Sequence, residues 1–115
     1  MVENRRSRRK SAGNQNIAVI DAITDEPIGF VGNLSVDGML LVANRALPDN
    51  ALFQFRFELP TEKGTSHQFE IGMHEQWGEP ASIPGQFWAG FRIIDIGFED
   101  RAALTAWVNR QEHMG

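Results

Sequence analysis

Phe53-Gln54-Phe55-Arg56-Phe57-Glu58-Leu59 sets apolar and polar side chains strictly in turn. Successive side chains of an extended chain point to opposite faces, so this period of two predicts a strand. Phe53, Phe55, Phe57 and Leu59 form a core face, and Gln54, Arg56 and Glu58 form the other. Downstream, 61–66 reads as a loop, and 67–77 alternates again through Phe69, Ile71 and Met73. Residues 78–85 predict a wide hairpin connection, followed by a strand over 87–96. Upstream, Pro48-Asp49-Asn50 breaks the chain, and 39–43 is a short apolar run that suits a strand buried on both faces. Residues 35–38 read as a tight turn, 28–33 as a strand, and Asp25-Glu26-Pro27 as a turn. The β-branched run at 17–22 supplies the first strand. Helix is expected once, over 99–112, with acids at its start. Ala103, Leu104, Trp107, Val108 and Gln111 form one face that can cap an open barrel end. Short strands spaced by turns predict a barrel or sandwich.

The 115 residues allow one domain. Hydrophobic residues at 42% and charged residues at 23% are ordinary for a packed globular chain. No apolar run approaches the roughly 20 residues that span a bilayer, and the basic N-terminus is not followed by the apolar stretch of a secretory signal. A cytoplasmic location without membrane insertion is therefore expected. The absence of cysteine excludes disulfides and thiolate metal sites.

Charge is unevenly placed. The first ten residues hold Arg5, Arg6, Arg8, Arg9 and Lys10 against Glu3 alone, a net +4. The remainder has 6 basic and 14 acidic residues, a net charge of −8. Residues 1–15 read as a flexible basic arm with almost no apolar residues, and 16–115 as the folded body. An acidic body repels DNA and RNA, so a polyanionic partner must be small enough to meet the arm alone.

Two fragments concentrate the functional signal: Arg5-Arg6-Ser7-Arg8-Arg9 in the arm, and Asn33-Leu34-Ser35-Val36-Asp37-Gly38 at the turn. Together they resemble the PilZ domain family, which pairs an Arg-x-x-x-Arg arm with a downstream Asp/Asn-x-Ser-x-x-Gly turn. Arg5 with Arg9 satisfies the spacing, whereas Arg6 leads to Lys10. Trp88-Ala89-Gly90-Phe91, Asp95 and the terminal helix resemble the end of the same fold. The resemblance implies an all-β domain with one helix, a six-stranded antiparallel barrel of the split-barrel type. It also implies a receptor or adaptor for cyclic di-GMP, not an enzyme, without a cofactor or metal, which signals to a downstream protein partner.

The implied ligand residues are Arg5, Arg9, Asn33, Ser35 and Gly38, with Arg6, Arg8, Trp77 and Gly90 as secondary candidates. Guanidinium pairs with phosphate oxygens and stacks on purines. Asn33 offers a carbonyl and an amide to a guanine edge, and Ser35 offers a hydroxyl. Gly38 is expected to permit positive φ and close approach of backbone to ligand. Many family members have Asp where Asn33 stands, so this chain offers a guanine edge one acceptor fewer. Ordering each arm residue costs about 1–2 kcal/mol, and each charged hydrogen bond returns about 1.5–3 kcal/mol. Several contacts must form at once, as a dinucleotide with two phosphates and two purines allows.

Plainer readings stand beside these. The Arg cluster is also a solubilising tail, and Ser35 and Gly38 are also ordinary turn residues. Trp77 and Trp88 suit strand packing as well as stacking, and Trp107 suits helix packing. His67, His74 and His113 lack metal-site spacing. Asp95, Glu99 and Asp100 read as a strand end and a helix start rather than paired catalytic acids. Two other functions compete: a PilZ-like interaction module that does not bind nucleotide, and a single-stranded nucleic-acid binder, which the acidic body disfavours.

Overall fold

A computed structural model describes residues 8–13 and 16–110. Among these lie seven strands and one helix: β1 (Lys10–Ser11), β2 (Ala18–Asp21), β3 (Glu26–Leu34), β4 (Gly38–Ala43), β5 (Leu52–Pro60), β6 (Ser66–Pro80), β7 (Phe87–Asp95) and α1 (Phe98–Asn109). All pairings are antiparallel. β2 pairs with β3, β3 with β4, β4 with β7, β7 with β6, β6 with β5, and β5 with β2, so six strands close into a barrel. This is the expected six-stranded antiparallel barrel with a C-terminal helix.

The alternation in β5 has the expected outcome. Phe55, Phe57 and Leu59 are buried and Phe53 is partly so. Phe55 meets Phe91 of β7 edge-on at 4.8 Å, and Phe57 stacks on Phe69 of β6 at 5.0 Å. Val19, Leu41, Ile71 and Met73 complete the interior. Aromatic and aliphatic side chains thus fill the core between the strands.

α1 begins one residue before the expected start and ends at Asn109 within the described region, while Gln111 and Glu112 lie outside it. Leu104, Trp107 and Val108 are buried, and Ala103 packs partly against the same core. The helix is fastened to the barrel at two points. Asp100 meets His67 Nε2 at 2.8 Å and accepts from the Glu70 N–H at 3.2 Å, and Arg110 donates to the Pro60 carbonyl at 3.0 Å. Asp95 and Glu99 stand at a strand end and in the helix's first turn.

Two strand boundaries differ from expectation by two residues or more. Glu26 and Pro27 already belong to β3; Asp25 alone takes the left-handed turn conformation, at φ 66°. β6 continues through Gly78, Glu79 and Pro80, which pair with Ala89, Trp88 and Phe87, so the hairpin connection is shorter than 78–85. Pro80 sits at the last pair of the ribbon, where a missing N–H is tolerated. No helix among the described residues is long and apolar enough to cross a membrane.

Candidate functional site

β3 has nine residues and β2 only four, so β2 covers the first part of the β3 edge and leaves the rest open. β1 takes the remainder. Lys10 stands opposite Leu34 and Ser11 opposite Asn33, and the Ala12 N–H donates to the Gly32 carbonyl at 3.1 Å. Part of the expected flexible arm is thus a strand, because unpaired backbone on β3 offers it partners. The pairing brings the arm to the β3–β4 turn. Arg9 Nη1 donates to Asn33 Oδ1 at 2.8 Å on the surface. Lys10 anchors the arm on its other side: its ammonium lies 4.4 Å from the centre of the Trp107 ring and donates to the Trp107 carbonyl at 3.1 Å.

The turn is held from within. Ser35 N–H donates to the Gly38 carbonyl at 2.9 Å, while Ser35 Oγ accepts from the Asp37 and Gly38 N–H groups, both at 3.1 Å. Ser35 is 1% exposed, so its hydroxyl shapes the turn and is not displayed at the surface. The Asp37 carbonyl accepts from the Ile93 N–H at 2.7 Å and stitches the turn to β7. Gly38 corrects an expectation: its φ is not positive. Glycine is required there because a Cβ would stand 2.1 Å from the Phe91 carbonyl oxygen, where β4 and β7 pack backbone to backbone. The close approach is to a neighbouring strand.

Beside the turn, β6 and β7 form the far wall. The Trp77 indole lies against Gly90 so closely that a Cβ on Gly90 would stand 2.3 Å from Nε1, yet the residue remains 46% exposed. A cleft of about 450 Å³ results, inside the roughly 300–1,000 Å³ usual for small-molecule sites. Arg9, Asn33 and Asp37 line it from the arm, β3 and the β3–β4 turn, and Trp77, Gly90 and Arg92 from β6 and β7.

Of the sequence-derived candidates, Arg9, Asn33, Trp77 and Gly90 come together at this cleft. Ser35 and Gly38 lie behind it as framework. Arg8 is exposed and is not part of the lining. Arg5 and Arg6 lie outside the described residues. Arg92, Gln76 and Asp37 line the cleft without having been singled out in the sequence. Arg92 had a signal: it stands two residues after Gly90 in one strand and therefore shares its face. Gln76 had none, because the register shifts between Glu75 and Trp77 and alternation fails there.

Chemically, the cleft offers two guanidinium groups, Arg9 and Arg92, an exposed indole, and an amide at Asn33. That set suits a flat, anionic molecule with ring systems and phosphates.

No family model matches the sequence, and no curated protein matches it. Solved structures do. The chain superposes on the Bacillus subtilis inhibitor of motility MotI/DgrA with a TM-score of 0.73 at 15% identity, over 93% of this chain and 50% of that one. It superposes on the PilZ domain of YcgR from Escherichia coli, solved with c-di-GMP, with a TM-score of 0.69 at 15% identity, over 92% of this chain and 89% of that one. The chain spans half the length of the MotI/DgrA structure and nearly all of the YcgR domain. At this identity the likeness is one of fold, and the fold is that of a PilZ domain.

Proposed function

We propose that the domain is a cyclic di-GMP receptor that closes its N-terminal arm over the ligand and presents the changed surface to a partner protein. One observation carries the reading: the arm runs as a strand beside the β3–β4 turn and sets Arg9 on Asn33 at the mouth of a cleft whose lining also holds Arg92 and Trp77. The fold likeness to a PilZ domain solved with c-di-GMP supports it.

In this reading Arg9 exchanges the Asn33 carbonyl for a phosphate oxygen, and Arg5 supplies the first arginine of the motif. The exchange is favourable because a charged acceptor binds guanidinium more strongly than a neutral amide oxygen. Asn33 is then released to face a guanine edge, and Trp77 offers its exposed ring to a purine. Ser35 and Gly38 keep the turn in place. Arg92 adds a second fixed cation. The chemistry is recognition rather than catalysis, and the output is a shift in the population of arm conformations. A cytoplasmic site of action and a protein reader follow from the same proposal.

A second reading has a specific observation in its favour. Ser35 is spent inside its own turn and Gly38 is fixed by contact with β7, so the fold alone accounts for both residues. An interaction module that binds no nucleotide would keep them. Calorimetric titration with cyclic di-GMP, GTP and a short oligonucleotide separates the readings. Micromolar or tighter heat with cyclic di-GMP alone is expected. Heat with none of the three favours the interaction module.

A further inference from the structure

Glu75 is 2% exposed, a carboxylate held inside the β6–β7 ribbon. Its Oε1 accepts from the Asn50 N–H at 2.6 Å, and its own N–H donates to the Ala51 carbonyl at 2.9 Å, which ties down the loop between β4 and β5. Its Oε2 is buried and has no hydrogen-bond partner among the described residues. Buried carboxylate oxygens without donors are unfavourable and uncommon, and a missing partner is a common reason for one.

A recess of about 150 Å³ opens beside this carboxylate. Leu47, Pro80, Phe87 and Trp88 give it apolar walls, and Asp49 and Glu79 add two more acids. Gly78 keeps the approach clear, since a Cβ there would stand 3.2 Å from Oε2. Arg45 also lines the recess but is engaged elsewhere. Its Nε donates to Asn44 Oδ1 at 3.2 Å, its Nη2 to the Pro27 carbonyl at 3.2 Å, and its Nη1 to Glu26 at 3.5 Å.

We propose that this recess receives the cationic head of a lysine or arginine side chain from a docking protein. The head donates to Glu75 Oε2, and the aliphatic stem lies along Leu47, Phe87 and Trp88. The volume admits one alkyl cation with its stem and no nucleotide. The net charge of −8 outside the first ten residues draws a basic protein surface toward it. The recess and the arm-side cleft use neighbouring residues of one ribbon, Glu75 and Gly78 for the first, Gln76 and Trp77 for the second. The proposal does not depend on what fills the cleft.

The test is a series of amide NMR titrations of the full chain with blocked lysine and blocked arginine (N-acetyl, N′-methylamide), n-butylammonium and n-butanol. Saturable shifts at Asn50, Gly78 and Ala89 are expected with the three cations and not with butanol. In Glu75→Gln, whose amide oxygen still accepts from Asn50, the cations should bind at least about tenfold more weakly. Gly78→Ala carries the same expectation by covering Oε2, and decides the matter if the first variant does not fold. Equal binding of butanol, no saturable shift, or binding of n-butylammonium with exclusion of both blocked amino acids would each overturn the proposal.

Discussion

Arg9 and Asn33 meet at 2.8 Å in a bond open to water, so it contributes little to stability and much to where the arm rests. Arg9→Ala is therefore expected to lower cyclic di-GMP affinity at least about tenfold, since a charged hydrogen bond to phosphate is lost. The melting temperature of the free protein should barely move; calorimetry and a thermal melt read the two effects separately, and equal losses in both would count against the assignment. Gly38 behaves in the opposite way. With the Phe91 carbonyl 2.1 Å from where a Cβ would stand, Gly38→Ala should cost about 3 kcal/mol of folding stability by forcing β4 from β7, as a denaturant midpoint will show. A neutral outcome would mean that the strands part without cost. That glycine was legible as special in the sequence, but the reason was not: a turn glycine suggests positive φ, and only the pairing of Gly38 with Arg92 reveals an approach to another backbone. Ser35 is similar, since its residue type fits both a ligand contact and a turn lock.

Strand alternation in β5 and β6 and the apolar face of α1 could be read directly, because buried faces impose periods of two and 3.6 on the sequence. β1 could not. Two residues carry no period, and Lys10–Ser11 is a strand only because β2 leaves the end of β3 unpaired. The extension of β6 to Pro80 was hidden in the same way by turn-forming residue types that here pair with β7 alone, past the end of β5. The helix tests how much the barrel relies on its lid. Leu104 is 1% exposed, so Leu104→Ala should destabilise the domain by about 2–5 kcal/mol, measured by chemical denaturation. Lys10 joins arm to helix through the Trp107 ring and carbonyl. Lys10→Ala should therefore lower stability by about 1 kcal/mol, and leave the arm less often at the turn. A weaker ligand affinity in that variant would show that the helix end helps to hold the arm ready.

For the molecule as a whole, six strands close on one another and the arm adds β1 along the part of β3 that β2 leaves open. The charge separation between a basic arm and an acidic body is visible in the sequence, and at the cleft it leaves Arg9 and Arg92 beside Asp37 in a chain whose other residues are net acidic. Cyclic di-GMP affinity should accordingly fall as sodium chloride is raised, with a shallower dependence in Arg92→Ala. The most direct test of the arm and turn as one clamp is an amide NMR titration with cyclic di-GMP. Saturable shifts concentrated at residues 9–11, 33–38, 76–77 and 90–92 are expected. Saturation with shifts gathered around residues 17–20 and 56–68, or no saturable shift at all, would contradict it.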